Sequence, residues 1–589
     1  MPDVFRFSPN PNRAHEIAWH EWGEAALAAA VGNDRPILLN LTAVWCHWCH
    51  LMDETTYSDP DIIQLINDEF VAIRVDADRH PHVQDRYIAG GWPTTAFLVP
   101  SGEVLWAGTY TEADQLREVA RGVLAAWRER RSELEVEIDR RRRALDASRG
   151  RSDATGMVRR ERADDVLTAV RAAFDSRNGG FGGEPKFPQP EAVELLYANM
   201  SADAACGAMA DHTLDGMLAG DLWDPVDGGF FRYATRGDWT EPRYEKLLDV
   251  NASLLDAYAL GAVIRGRDDW RSIAEGTVAW TDRTLSLADG LWGGSQCAGP
   301  AYFSAPPDVR ASMEAPPVDA TVYTSANARW IGALALAGAR LGHGAWVERA
   351  DAALTALLAT MSAPDGRLFH YRAPGEAPGL DFLLADLLEA LRAALSVGQA
   401  TGDTAWIAVA RRLASTAEAA FWAHDGGFWD RAASDHDVGV LRYRDRPFEQ
   451  NAAAARALLD LAQVTGERHW RALAERTLAG TGPAAGRYGV AGATFALATE
   501  AYFSQPPAVF VALPEGADAD DPAASALRRA AFALPVPGLR VWPVAAGHAT
   551  GPQRFDVTGA AAAWIWTRHG CSGPAKTPDA LAGLAPAPA

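Results

Sequence analysis

The stretch Pro36-Ile-Leu-Leu-Asn-Leu-Thr-Ala-Val-Trp-Cys46-His-Trp-Cys49-His50 decides the reading of this chain. Its first half, Pro36 to Leu41, is a short apolar run of the kind that forms a buried strand. Its second half places Cys46 and Cys49 two residues apart where Cys49 to Thr56 opens a helix. A C-x-x-C between a buried strand and a helix is a thioredoxin-type arrangement. The helix start supplies free N–H groups and the positive end of the macrodipole, which favour a thiolate on the first cysteine. Cys46 is therefore the expected nucleophile and Cys49 the resolving thiol, with His47 and Trp48 shaping the environment between them.

The surrounding sequence agrees. Helices are expected at Glu21 to Val31, Asp59 to Phe70 and Asp114 to Arg130, the second capped by Ser58 or Asp59. Val71 to Val75 reads as a strand, and Thr95 to Val99, Gly102 and Val104 to Ala107 read as a hairpin. Together they give a small α/β sheet with a thioredoxin-like fold. Gly91-Trp92-Pro93 precedes the hairpin, and Pro93 fits the cis-proline that packs beside such a cysteine pair. One position dissents. Six residues before Cys46, where thioredoxins carry a buried Asp that takes the proton of the resolving thiol, stands Asn40, which cannot act as a base.

Other readings of the pair exist. Cys46-His-Trp-Cys49-His50 spells the c-type haem attachment pattern, but that chemistry belongs outside the cytoplasm. Zn²⁺ would need four ligands converging from five residues at one helix start. The plain alternative is a thioredoxin fold whose cysteines only pack. Neither a metal nor a cofactor is expected.

Five cysteines in 589 residues do not make a disulfide framework, and Cys206, Cys297 and Cys571 read as small buried hydrophobes. The net charge of −21 argues against a nucleic-acid partner. No apolar run is long enough to span a bilayer, and no signal peptide is visible, so a cytoplasmic protein without a membrane partner is expected.

The length calls for more than one domain. The thioredoxin-like domain is placed at 1–130, a charged helix and linker at 131–160, and a helical domain at 161–504. In the helical domain Ala/Leu-rich stretches are separated by glycine-aromatic turns: Asn178 to Gly183, Asp227 to Phe231, Gly290 to Gly294, Asp365 to His370 and Asp425 to Asp430. Twelve helices are expected, at 161–176, 190–200, 205–222, 245–264, 268–287, 325–341, 344–361, 380–398, 403–423, 449–465, 467–480 and 488–503. Six pairs of helices suggest an all-α (α/α)6 barrel, a six-hairpin toroid. Residues 505–589 read as a small C-terminal α/β appendage with strands at Ala508 to Leu513, Leu539 to Val544 and Ala560 to Thr567, a helix at Asp521 to Phe532, and a disordered tail from Leu581 to Ala589.

With these motifs in place, the chain resembles the spermatogenesis-associated protein 20 family with its bacterial YyaL-like members, thioredoxin-domain proteins carrying a six-hairpin barrel. The resemblance rests on Trp22-Gly23-Glu24, the Cys46-to-His50 pentad, Val75-Asp76 and Gly91-Trp92-Pro93. It continues through Phe181-Gly182-Gly183, Pro185-Lys186-Phe187-Pro188, Asp238-Trp239-Thr240, Glu245-Lys246, Asn251, Thr324-Ser325, Asn327, Asp386, Gly426-Gly427-Phe428 and Asn451. It departs at Arg243, where the family has histidine, at Asp249-Val250 in place of Tyr-Asp, at Ala326 in place of Trp, and at Trp566 in place of a second C-terminal cysteine. A family activity housed at the barrel mouth would be altered or lost by these changes.

The barrel also resembles that of N-acylglucosamine 2-epimerases and some glycoside hydrolases, which use the funnel at one end. On that resemblance the candidate binding residues are Glu184, Lys186, Trp239, Arg243, Glu245, Lys246, Asn251, Asp319, Asn327, Asp386, Glu449 and Asn451. Aromatic rings would stack on sugar faces and carboxylates would act as acid and base. The plainer reading makes such residues caps and packing anchors. His212, His343, His370, His424, His436, His469 and His548 are scattered, and only His370 and His424 sit in loops that could face the funnel. The expected function is thiol–disulfide exchange, with a barrel that binds a protein thiol partner or a small, sugar-like molecule. The alternative is a carbohydrate-acting or carbohydrate-binding barrel with the thioredoxin domain as scaffold.

Overall fold

The computed structural model describes residues 5–149, 156–434, 437–550, 553–568 and 570–585. Residues 150–155 of the expected linker, His436 and the end of the expected tail at 586–589 lie outside the described residues.

The N-terminal unit runs β1 (Trp19–His20), α1 (Glu24–Asn33), β2 (Ile37–Thr42), α2 (His47–Glu54), α3 (Pro60–Glu69), β3 (Val71–Asp76), α4 (Pro81–Tyr87), β4 (Thr94–Leu98), β5 (Val104–Gly108) and α5 (Ala113–Glu129). The sheet order is β1-β3-β2-β4-β5. β2 and β3 are parallel, and β4 runs antiparallel to β2 and β5. Every residue of β2, β3 and β4 is buried, because helices cover both faces of the sheet. That is why these strands read as continuous apolar runs rather than alternating ones. Asp59, not Ser58, caps α3, accepting from the N–H groups of Asp61 and Ile62 ahead of Pro60. This is the thioredoxin-like topology. β1 and α4 were not expected, since two residues carry no periodicity and α4 is a single short stretch opened by Pro81 and His82.

α6 (Arg131–Arg149) follows as a charged helix. Its surface carries ion pairs three and four residues apart, such as Glu137 with Arg140 and Arg141.

The helical domain contains α7 (Glu161–Ala173), α8 (Pro190–Asn199), α9 (Ala204–Ala219), α10 (Leu248–Arg265), α11 (Asp268–Thr284), α12 (Thr324–Leu341), α13 (Gly344–Met361), α14 (Leu384–Thr401), α15 (Ala405–Phe421), α16 (Phe448–Thr465), α17 (Arg468–Thr481) and α18 (Ala493–Phe503). α8, α10, α12, α14, α16 and α18 touch one another in a closed inner ring. α9, α11, α13, α15 and α17 each pack outside the helix they follow, and α7 pairs with α18 to complete the toroid. Alternation between the rings makes all six inner helices run the same way, so all six start at one end of the barrel.

The glycine-aromatic turns join outer helices to inner ones. Each closes on a single β-bridge: Phe174 to Phe181, Trp223 to Phe230, Ser286 to Trp292, Ser362 to Leu368 and Trp422 to Phe428. Gly427 shows why glycine is needed. Its φ is +85°, and a Cβ there would sit 2.7 Å from Asn451 Oδ1.

The C-terminal unit comprises β6 (Ala508–Leu513), α19 (Pro522–Phe532), β7 (Arg540–Ala545), β8 (Ala562–Thr567), β9 (Gly570–Ala575) and α20 (Pro578–Leu584), with sheet order β7-β6-β8-β9. It covers the far end of the barrel, where Gln399 accepts from Val541 N, Gln463 accepts from Trp542 Nε1, and Arg540 pairs with Asp460. The expectation of a disordered tail from Leu581 is corrected, because Thr577 caps α20 and Leu581 is fully buried beneath it. Cys571, expected buried, is half-exposed on β9. Among the described residues no helix is long and apolar enough to cross a membrane.

Candidate functional site

The thioredoxin-like unit sits on the barrel end where the inner helices start. Arg6 reaches both Asp76 (2.8 Å) and Asp319 (2.6 Å) of the barrel. Arg86 pairs with Asp430 at 2.7 Å. His370 Nε2 lies 2.8 Å from the Asp78 carbonyl, and the Trp45 carbonyl accepts from Ala298 N at 3.1 Å.

Cys46 is the N-cap of α2, in extended backbone, and its Sγ accepts from Cys49 N at 3.4 Å. A thiolate there would meet the unpaired N–H groups that open the helix. Cys46 and Cys49 are 3% and 2% exposed. Burial, then the Cys46 sulfur, pushes the Cys49 thiol well above its ordinary range, so it stays protonated at neutral pH. The Trp92–Pro93 bond is cis and Pro93 is buried. Trp45 packs edge-on to Trp92, and Trp48 lies 5.1 Å from the Tyr110 ring. His47 is half-buried against Trp48.

Asn40 is not available to the cysteines as a base. Its Oδ1 accepts from Arg74 Nη1 at 3.1 Å, and Arg74 holds Asp53 of α2 through two bonds of 2.8 Å. Asn40 is thus tied to a buried ion pair, Arg74 with Asp53.

Cys46 opens on a cavity of about 850 Å³ between the two units. One side is Trp48, Gly91, Trp92 and Tyr110. The other is Phe187, Arg232, Tyr233, Arg243, Glu245, Leu247 and Asp249. Below it lies a second chamber of about 450 Å³ inside the inner ring, sharing Glu191, Asp249, Ser253 and Arg329 with the first. Its wall carries ion pairs on otherwise Ala-rich helices: Arg329 with Glu389, Arg392 with Glu389, and Arg456 with Glu194.

Of the barrel residues singled out in the sequence, Arg243 and Glu245 line the mouth cavity, and Glu449 lines the inner chamber. The others are corrected. Lys186 and Lys246 are fully buried ion-pair partners of Asp175 and Asp224, each also donating to a glycine carbonyl. Trp239 is buried and donates to the Asn178 carbonyl. Asn251, Asn327 and Asn451 all do one job. Each stands at the fourth position of an inner helix and clips the preceding turn by bonding both N–H and carbonyl of one residue, Phe230, Trp292 and Phe428 respectively. Asp386 accepts from Ser325 N and binds His370 Nδ1 at 3.0 Å. His370 is therefore buried against the thioredoxin-like unit rather than facing the funnel, and His424 is exposed on the surface. Glu184 is exposed and accepts from Gly237 N, and Asp319 binds Arg6 and Tyr323. Turn chemistry and binding chemistry use the same residue types, so their sequence pattern is the same.

The sequence reading missed Arg232, Glu191, Arg329, Glu389, Arg392 and Arg456. For all of these but Arg232, which lies on a loop, charged residues on the apolar faces of Ala/Leu-rich helices were the available signal. Cys297 is buried as expected, and the structure adds its place in one cluster with Cys46, Cys49 and Trp45, its Sγ donating to the Val44 carbonyl at 3.3 Å.

The sequence family Thioredox_DsbH, described as "Protein of unknown function, DUF255", matches residues 10–146. Human spermatogenesis-associated protein 20 is 28% identical over 316 residues, 49% of this chain and 39% of its own length, and the mouse protein is 29% identical over 315 residues. Over about half its length this chain is similar to the spermatogenesis-associated protein 20 family. It spans about two fifths of the length of the curated relatives of the family it matches. Thiol:disulfide interchange protein DsbD of Campylobacter jejuni is 34% identical over 88 residues, 14% of this chain and 15% of its own length. Among solved structures, cellobiose 2-epimerase from Bacillus thermoamylovorans aligns over 53% of this chain and 82% of its own, at 11% identity and a TM-score of 0.44. An unsaturated glucuronyl hydrolase specific for heparin aligns over 58% and 96%, at 13% identity and a TM-score of 0.43.

Proposed function

We propose that this chain is a thiol–disulfide oxidoreductase in which Cys46 attacks a disulfide enclosed between the thioredoxin-like unit and the barrel. The observation that carries the reading is the cavity of about 850 Å³ whose lining joins Cys46 to barrel residues. Its size is that of a small-molecule site. In the reaction the Cys46 thiolate bonds to one sulfur of the substrate and the other leaves as a thiolate. Cys49, losing its proton to water, then bonds to Cys46 and releases the second substrate thiolate. Two electrons pass from the protein dithiol to the substrate. With Asn40 bound to Arg74 and the Cys49 thiol pushed up, the second step is the slow one, so the mixed disulfide at Cys46 is long-lived.

The test is equilibration of the whole chain against a glutathione redox series, with thiol labelling and mass spectrometry. A Cys46–Cys49 disulfide with a potential between about −120 and −270 mV supports the reading. A pair that never closes refutes it. Cys49→Ser should accumulate the mixed disulfide at Cys46.

A sugar-acting barrel has one observation in its favour: burial and the neighbouring Glu191 raise the Glu449 carboxyl in the inner chamber, as a general acid requires. The same chamber has no aromatic side chain among its described lining residues, so it offers no stacking platform. Sugar-dependent thermal stabilisation that survives Cys46→Ser would favour this alternative.

A further inference from the structure

The mouth cavity holds charges that the protein does not neutralise. Arg232 lies over the rings of Trp45, Trp92 and Tyr233, with its guanidinium carbon 4.7, 5.1 and 4.9 Å from their centroids. Three aromatic contacts fix the cation beside the cysteine loop without neutralising it. Arg243 lies 5.6 Å over Trp48, the residue between the cysteines, and its buried Nε has no partner. Among the described residues no ion pair joins either arginine to a carboxylate. The same lining contains Glu245, 3% exposed, with a buried Oε2 that has no partner. Half-enclosed charges of both signs that form no ion pair with each other cost desolvation energy unless something bridges them. The starts of the six inner helices add positive potential at this end of the barrel.

Access is restricted as well. An extended polypeptide docks on a protein surface largely through main-chain hydrogen bonds to free backbone groups. Here the Trp45 carbonyl already accepts from Ala298 N, and the Val44 carbonyl already accepts from Cys297 Sγ. The barrel thus takes up two main-chain acceptors next to Cys46 that an extended polypeptide would need.

We propose, resting on the oxidoreductase reading above, that the mouth cavity takes a small zwitterionic disulfide built from amino acids. Its carboxylates pair with Arg232 and Arg243, its ammonium pairs with Glu245, and its disulfide meets Cys46. The chemistry is one exchange cycle: Cys46 and Cys49 become a disulfide, the ligand leaves as two thiols, and a small dithiol reductant in solution returns the pair.

The experiment measures second-order rates of Cys46–Cys49 oxidation in the reduced full chain, by thiol trapping and mass spectrometry. The probes are glutathione disulfide (zwitterionic), 2-hydroxyethyl disulfide (neutral), cystamine (dicationic), 3,3′-dithiodipropionate (dianionic) and insulin (a protein disulfide). Each rate is divided by that of dithiothreitol with the same probe, which removes differences in intrinsic reactivity. Glutathione disulfide should exceed every other probe by about tenfold, the effect of one charge-assisted hydrogen bond. In Arg243→Met and in Glu245→Gln that ratio should fall toward one, and Arg243→Lys should restore part of it. Ratios within twofold across all probes, a faster reaction with the dication or the dianion, or insulin matching glutathione disulfide would each overturn the proposal while leaving the oxidoreductase reading intact. Oxidation by none of the probes would overturn both.

Discussion

Arg74 joins α2, which carries the cysteine pair, to the sheet. Its guanidinium bonds Asp53 of α2 twice at 2.8 Å, Asn40 of β2 at 3.1 Å and the Phe5 carbonyl at 2.9 Å, and it lies 4.6 Å over the Phe7 ring. The side chains of Arg74 and Asp53 are 1% and 2% exposed. Arg74→Met keeps most of the length and apolar contact but leaves Asp53 with only the Ser8 N–H, at 3.0 Å. Breaking a buried pair from one side costs about 3–5 kcal/mol. At about 3 kcal/mol, local opening of α2 becomes roughly 150-fold more frequent. Hydrogen exchange of the α2 amides, read by mass spectrometry, reports that opening directly, and avoids assuming two-state unfolding in a chain of several units. Adding Asp53→Leu should recover most of the loss, since an apolar replacement of a whole buried pair is often near neutral. Acceleration below about tenfold in Arg74→Met, or a double variant that exchanges as fast as the single one, would refute the claim that this pair fastens the cysteine helix.

The asparagine clips make a second prediction. Asn451→Ala strands the buried N–H and carbonyl of Phe428, costs about 2–3 kcal/mol, and should lower the thermal midpoint of the barrel while the potential of the cysteine pair stays fixed; an unchanged midpoint would contradict the clip role. The interface makes a third. Burial, then Asp76 and Asp319, raises the Asp78 carboxyl to about 8, and although burial alone would lower His370, the charge of Asp386 raises it above 6.5. Both groups hold a proton more tightly folded than unfolded. Their contribution is therefore present at low pH and is lost as pH rises, for Asp78 between 3.8 and about 8 and for His370 above 6.5. The thermal midpoint should fall between about pH 5 and pH 8.5. Asp78→Asn should flatten most of that slope, and an unaltered slope would sink the assignment.

Local pattern was enough for the fold. The run Pro36 to Leu41, the pair Cys46/Cys49 and the tripeptide Gly91-Trp92-Pro93 specify the thioredoxin-like unit, because strand burial, helix capping and turn chemistry all act over a few residues. Helical periodicity and the glycine-aromatic turns specify twelve barrel helices for the same reason. The site was legible at the cysteines alone. Lys246 and Asn251 carry the residue types of a binding site, yet one is fully buried against Asp224 and the other clips Phe230. Arg232, on an undistinguished loop, turns out to lie over Trp45 and Trp92. What the sequence alone determined is therefore the set of elements and the place of the cysteine pair at the start of α2. What only the tertiary structure decided is that the barrel mouth closes over Cys46, and which charges are left without a partner there. Those are properties of side chains about 190 residues apart meeting across an interface, and no periodicity or spacing in a single chain encodes which charges will find partners.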